Sequence, residues 1–153
     1  MTTGTAPRVY LDANVFITAF EHGGAGSDHA WWIFRAIEAG EISAGTSELT
    51  LAEILVKPLE RGQSDLVGAY ENMISSGSHF EVVPVRRDIL VDAAGFRARR
   101  SSIRLPDAVH VATAKALACG FFISNDRRVA LPEGMHMLPL NAFTLDDIFA
   151  GKP

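Results

Sequence analysis

Three times along this chain, a stretch of helical composition ends at a glycine and is followed at once by a short apolar run. The units are residues 31–39 with Gly40 and the run 42–44, residues 66–76 with Gly77 and the run 80–85, and residues 107–119 with Gly120 and the run 121–124. A glycine just past the last helical turn supplies the left-handed position that closes a helix, and apolar runs of this length are strands. The alternation predicts an α/β fold. Val9, Tyr10 and Leu11 add a first strand and residues 137–140 a last, edge strand, for a total of about five, a usual sheet size. Val82 with Val83, and Phe121 with Phe122 and Ile123, are apolar on consecutive positions, as expected where helices cover both faces of a parallel sheet. The expectation is a three-layer α/β/α sandwich around a mostly parallel sheet. With 153 residues, the chain is expected to form one domain, residues 1–153. Residues 21–27, with three glycines, read as a surface loop.

Several classes of protein are disfavoured. No apolar run approaches the roughly 20 residues of a membrane span. The first eight residues carry no apolar stretch after a basic start, and the single Cys119 has no partner for an internal disulfide, so a cytoplasmic location is expected. Cys119 reads as an inert small apolar residue. The formal net charge of −4 argues against binding nucleic acid through bulk positive field. The basic residues are clustered all the same: six of eleven arginines (Arg86, Arg87, Arg97, Arg99, Arg100, Arg104) fall within nineteen residues, and Arg127 and Arg128 form a further pair.

The acids carry the chemical argument. In open parallel sheets, ligands bind beyond the carboxyl ends of the strands. Asp12 follows the first strand directly and Asp126 follows the run 121–123 after two residues, so right-handed crossovers put both at one sheet edge. Glu53 lies on a helix after the second strand, in a polar stripe with Thr50 and Lys57 on an otherwise apolar segment. Asp107 follows Pro106, which favours the first helical turn and so places this carboxylate at a helix start. Each acid alone has a plainer reading: a cap for Asp12, a macrodipole partner for Asp107, an i,i+4 partner of Lys57 for Glu53, a turn former for Asp126. Together, four acids at one rim would repel one another without a cation among them, and hard oxygen ligands select Mg²⁺ or Mn²⁺ over zinc. On this reading, removing one acid relieves repulsion.

Other chemistry has thinner support. The five histidines (His22, His29, His79, His110, His136) are dispersed without a zinc-binding spacing; His110, one turn after Asp107, has two readings, a helix-packing residue first and a neighbour of the acidic rim second. Trp31, Trp32, Ile33 and Phe34 read as core or a subunit contact rather than a base-stacking platform.

Four blocks, residues 9–16, 47–59, 105–114 and 122–127, resemble in order the PIN-domain ribonucleases and, within them, the toxin half of VapBC-type toxin–antitoxin pairs. The resemblance maps the family's acidic positions onto Asp12, Glu53, Asp107 and Asp126, with Asn14 and Ser124 as supporting polar residues. It implies hydrolysis of RNA phosphodiester bonds with Mg²⁺ or Mn²⁺ at the acids, an antitoxin partner that occupies the acidic groove, and a homodimer. The segments 15–20 and 49–59, each expected to be helical, are the expected walls of an apolar groove for that partner. The four acids account for the whole formal charge of −4, so with metal bound the remainder would not repel RNA. Arg97, Arg100, Arg104 and Arg127 are then candidates for phosphate contacts. Two alternatives stay open: a phosphatase or phospho-acceptor domain with Asp12 as nucleophile, and a catalytically silent interaction module. Asn14 stands where such a phosphatase would need a second Asp, and Lys57, Lys115 and Lys152 are not placed at a strand end.

Overall fold

A computed structural model describes residues 6–21, 23–141 and 145–149. Its elements in order are β1 (Arg8–Leu11), α1 (Ala13–Glu21), α2 (Ala25–Glu38), β2 (Ser43–Ser47), α3 (Glu48–Ile54), α4 (Val56–Glu60), α5 (Ser64–Met73), β3 (Phe80–Val83), α6 (Arg87–Arg99), α7 (Leu105–Ala116), β4 (Phe121–Ser124), β5 (His136–Pro139) and α8 (Leu145–Phe149). The five strands form one fully parallel sheet in the order β3-β2-β1-β4-β5, with β5 at an edge as expected. The chain winds outward from β1 in one direction through β2 and β3, then crosses to the other side for β4 and β5. The switch point therefore falls between the carboxyl ends of β1 and β4, where Asp12 N–H donates to the Ile123 carbonyl at 3.1 Å.

Alternating side chains divide the strands between two cores. Val9, Leu11, Phe121, Ile123 and Leu138 face one core, closed by residues of α1, α2, α5 and α8, while Tyr10, Phe122 and Val83 face the other, closed by α6 and α7. The Tyr10 and Phe122 rings stack with centroids 5.0 Å apart on that second face. Gly45 lets Leu117, at the end of α7, come close: a Cβ there would overlap a Leu117 methyl and lie 3.1 Å from the Glu81 carbonyl oxygen. The predicted three-layer α/β/α sandwich is what the chain forms.

The glycine reading of the helix ends holds in one unit of three. Gly40 has φ +73°, with Gly40 N–H on the Ile37 carbonyl and Glu41 N–H on the Ala36 carbonyl, each at 3.0 Å, a paired closure of α2. In the third unit the same closure comes earlier, because Ala118, not Gly120, takes the left-handed position (φ +55°) and α7 stops at Ala116. Ala118 N–H and Cys119 N–H bond the Lys115 and Ala114 carbonyls at 3.0 Å, and Gly120 N–H instead joins the Arg8 carbonyl at the start of β1. Gly77 belongs to the turn before β3, where its N–H meets the Phe80 carbonyl at 2.8 Å.

Two other segments also differ from expectation. The helix expected over 49–59 is broken into α3 and α4, since Pro58 has no N–H to give the Ile54 carbonyl and its ring crowds that turn. The loop at 21–27 is shorter than read: α1 runs to Glu21 and α2 starts at Ala25, and Ser27 Oγ and Trp31 Nε1 both donate to the Ala19 carbonyl, at 3.1 and 3.0 Å. His22 and Lys152 lie outside the described residues.

Candidate active site at the strand ends

All four acids lie in one hydrogen-bonded and ionic network at the carboxyl ends of β1 and β4. Asp12 leads from β1 into α1 and is largely buried, its side chain 13% exposed. Its Oδ1 accepts the Ala13 amide at 2.8 Å, and its Oδ2 accepts Ser124 Oγ–H at 2.7 Å and Asn14 Nδ2–H at 3.3 Å. Ser124 Oγ in turn accepts Asn14 Nδ2–H and the Asp126 amide, each at 3.0 Å, which ties the β4 end to the β1 end. Asn14 and Ser124 thus both meet the Asp12 carboxylate, with Asn14 donating to it rather than adding a second negative charge.

Asp126 and Asp107 are linked by arginines. Arg128 grips Asp126 with Nε and Nη2 at 2.9 and 3.0 Å, while its backbone N–H meets the same carboxylate at 3.0 Å, so Asp126 is also a turn former. Arg104 Nε bonds Asp107 at 3.0 Å, and its Nη2 reaches Asp126 at 3.8 Å. Asp107 lies in the first turn of α7, as Pro106 implied. A cleft of 220 Å³ opens here, lined by Arg100, Arg104, Asp107, Asp126 and Arg128. Arg97 is directed elsewhere, with Nε on the Ile103 carbonyl at 3.2 Å, and Arg127 does not line the cleft.

Glu53 completes the set through His110, whose approach to the rim is the second of its two sequence readings. His110 is a buried packing residue on α7, as read, but its Nε2 lies 2.7 Å from Glu53 Oε2 and 3.9 Å from Asp12 Oδ1. His110 therefore belongs to the rim as well. The available signal was its spacing three residues after Asp107, which puts both on one face of α7. Glu53 thus pairs with His110 and not, as its plainer reading had it, with Lys57, and Thr50 is turned inward to Thr46, Oγ1 to Oγ1 2.7 Å.

The electrostatics divide the acids. Burial raises the Asp12 carboxyl, with Glu53 adding to the rise and His110, Ser124 and the Ala13 amide opposing it. Arg128 hydrogen bonds hold Asp126 below the ordinary carboxylate range, followed by the charges of Arg128 and Arg104. The strain at Asp12 is thus chiefly burial, with repulsion from Glu53 the smallest part, and the expectation that removing any one acid relieves repulsion does not extend to Asp126. Burial alone would lower His110, but the Glu53 hydrogen bond and the Asp12 charge carry it above its usual value. Burial pushes the Cys119 thiol up to about 12, in keeping with an inert residue.

The donor set suits a hard divalent cation: all four acids offer oxygen, and Asp12 carries a negative charge that burial disfavours. As the side chains stand, no three carboxylate, imidazole or thiol groups among the described residues close around one ion. Arg104, Arg128 and His110 hold the carboxylates instead. Of the lysines, Lys115 lies away from the rim, 3.7 Å from Asp92.

The apolar groove also differs from expectation. A groove of 420 Å³ is walled by Phe16 of α1, Trp31, Phe34 and Ile37 of α2, Met73 of α5 and Phe80 of β3. Only the α1 wall matches, and none of residues 49–59 contributes. Trp31 and Phe34 are half-buried against the core as well as lining it.

Solved structures of similar fold include a toxin–antitoxin complex from Klebsiella pneumoniae (TM-score 0.61, 23% identity, 83% of this chain and 94% of that one). VapBC2 from Rickettsia felis bound to a promoter DNA fragment gives TM-score 0.63 at 13% identity over 86% and 97% of the two chains. Mycobacterium tuberculosis VapC20, a sarcin–ricin loop cleaving toxin, gives 0.64 at 17% over 79% and 92%. No curated protein matches by sequence. The family model of the PIN domain matches residues 9–133, which takes in β1, β4 and all four acids, and the chain belongs to the PIN domain family.

Proposed function

We propose that this protein is a metal-dependent ribonuclease, with Asp12, Glu53, Asp107 and Asp126 as its catalytic acids and Mg²⁺ or Mn²⁺ as its ion. The observation that carries the reading is the joining of acids from four separate segments into one network at the β1–β4 switch point. A bound divalent ion supplies Lewis acidity, easing proton loss from the attacking water and offsetting charge on the phosphate as the P–O3′ bond breaks. Asp12, Asp107 and Asp126 hold the ion, and Glu53 orients the water or completes the shell. Asn14 and Ser124 fix the Asp12 carboxylate, and Arg100 and Arg104, lining the cleft, are placed to meet RNA phosphates. For Asp107 and Asp126 to turn to an ion, Arg104 and Arg128 must let them go.

The toxin half of a type II toxin–antitoxin pair is the biological role this reading favours. Two of the similar structures are themselves toxin–antitoxin assemblies. The groove beside Phe16, Trp31 and Phe34 offers a partner an apolar face, with Arg35 and Glu38 at its border. A homodimer working in the cytoplasm belongs to the same reading, and among the described residues no helix is long and apolar enough to cross a membrane.

The test offers the purified chain a mixed oligoribonucleotide and p-nitrophenyl phosphate, each with Mn²⁺. Cleavage of RNA that is lost in Asp12→Asn and Asp126→Asn supports the nuclease. Release of p-nitrophenol without RNA cleavage would replace it with a phosphatase, and neither product would leave an interaction module.

A further inference from the structure

A buried chain of polar contacts runs from the second core to Glu53. Ser47 N–H donates to the Tyr10 hydroxyl at 3.1 Å, Tyr10 Oη lies 2.6 Å from His110 Nδ1, and His110 Nε2 lies 2.7 Å from Glu53 Oε2. Tyr10, Ser47 and His110 are all buried, whereas the Glu53 side chain is 31% exposed. Ser47 also caps α3, its Oγ accepting the Leu49 amide at 3.1 Å, and α3 is the helix that carries Glu53. The contacts thus close a loop from β1 through α7 to α3 and back.

The loop defines what His110 presents. With a neutral ring, Tyr10 O–H donating to Nδ1 fixes the tautomer in which Nε2 carries the proton; with a charged ring, both nitrogens carry one. In either state a proton on Nε2 faces Glu53. The ring cannot turn away easily, because it is packed edge-on to Tyr10 with centroids 5.8 Å apart. Glu53, by contrast, is a long side chain at the rim whose freedom would cost entropy to remove each time an ion or a water had to be met.

We propose that His110, backed by Tyr10, is a positioning residue that holds the Glu53 carboxylate in its working orientation. The proposal rests on the metal-dependent hydrolysis put forward above. His110 acts through Glu53 and contacts neither the RNA nor the leaving oxygen. Partners that orient metal-site carboxylates in this way are worth roughly 10- to 100-fold in metal affinity or activity.

The experiment is a double-mutant cycle read by equilibrium Mn²⁺ binding, using electron paramagnetic resonance of the free ion, together with kcat and KM on an oligoribonucleotide. The variants are His110→Asn, His110→Gln, Glu53→Ala and the His110→Asn/Glu53→Ala pair. His110→Asn, too short to reach Glu53, is expected to weaken Mn²⁺ binding and lower kcat by roughly tenfold or more while leaving KM for RNA unchanged. His110→Gln, whose amide reaches the position of Nε2, should return to within about threefold of wild type, and in the Glu53→Ala background His110→Asn should have no further effect on Mn²⁺ affinity. Should His110→Asn not fold, Tyr10→Phe takes its place in the cycle, since it keeps the imidazole and removes the hydroxyl at Nδ1, together with the acceptor of the Ser47 amide. An additive cycle, or a His110→Gln no better than His110→Asn, overturns the positioning role while leaving the hydrolase reading intact. A folded wild-type protein that neither binds Mn²⁺ nor cuts RNA overturns that reading and this proposal together.

Discussion

Replacing Tyr10 by phenylalanine removes one oxygen from the second core, and the structure shows what that oxygen satisfies. The Ser47 N–H loses its acceptor and His110 Nδ1 loses its partner, both in residues at most 1% exposed. An unpaired buried polar group costs about 1–3 kcal/mol, and the ring itself still stacks on Phe122, so apolar packing changes little. His110 can shift its proton and recover part of its loss, which leaves an expected cost of about 2–4 kcal/mol. At about 2–4 °C per kcal/mol for a domain of this size, thermal unfolding followed by circular dichroism should show Tm lower by about 4–16 °C. Tyr70→Phe is the control. Tyr70 is as buried as Tyr10, but its hydroxyl donates to Glu21, a partly exposed carboxylate, at 3.1 Å. Water can replace that donor, so the loss should stay at or below about 1 kcal/mol. Among the described residues no buried side-chain nitrogen or oxygen lacks a partner, so the contrast is between creating such a group and not creating one. Equal melting shifts for the two variants, or a Tyr10→Phe Tm within about 1 °C of wild type, would show that the Tyr10 hydroxyl satisfies nothing that water cannot.

Other outcomes follow from the same structure. Ala118→Gly should raise stability by about 0.5–1 kcal/mol, because alanine at φ +55° costs about 1–2 kcal/mol and glycine returns part of that gain as unfolded-chain entropy; chemical denaturation with an unchanged m-value is the check. Asp12 has a raised folded-state pKa, so its contribution to stability is present at low pH and is lost as pH rises from the ordinary carboxylate value through the folded one. In EDTA, Asp12→Asn should therefore gain Tm over wild type at neutral pH and lose that advantage under acid conditions. Asp126→Asn, deprived of the Arg128 pair, should show no such gain. Arg128→Ala should tighten Mn²⁺ binding measured by calorimetry, since the arginine competes with the ion for Asp126; weaker binding would show that Arg128 supports the site instead.

The sheet and its helices were legible because each unit is short, apolar where buried, and punctuated by breakers. Where a breaker is not the residue that breaks, the reading slipped. Ala118 closes α7 because the chain must turn back to β1, where Gly120 N–H meets Arg8, and this tertiary demand overrides the local preference for glycine. Pro58 was a visible breaker, yet the apolar run around it concealed the division between α3 and α4. In the site, Asp12, Asp107 and Asp126 were legible because strand ends and a helix start fix their positions from local sequence. Glu53 was legible only as a charge on an apolar segment; its partner lies 57 residues away on α7, a separation that no spacing rule reaches. The same distance hid the role of Tyr10, whose alternation marks it as core but not as the support of His110. The arginine grip on the acids was foreshadowed by the Arg86–Arg104 cluster, although Arg128, the residue that binds Asp126 most closely, lay outside it.

If the four linked acids work through a divalent ion, the rate of oligoribonucleotide cleavage must follow that ion from excess EDTA to saturating Mn²⁺. Cleavage should be absent in EDTA, rise and saturate with Mn²⁺ or Mg²⁺, and be poorly restored by Zn²⁺, whose preference for nitrogen and sulfur ligands a rim of four carboxylates and one imidazole meets badly. RNA cleavage at an undiminished rate in excess EDTA would contradict a metal mechanism.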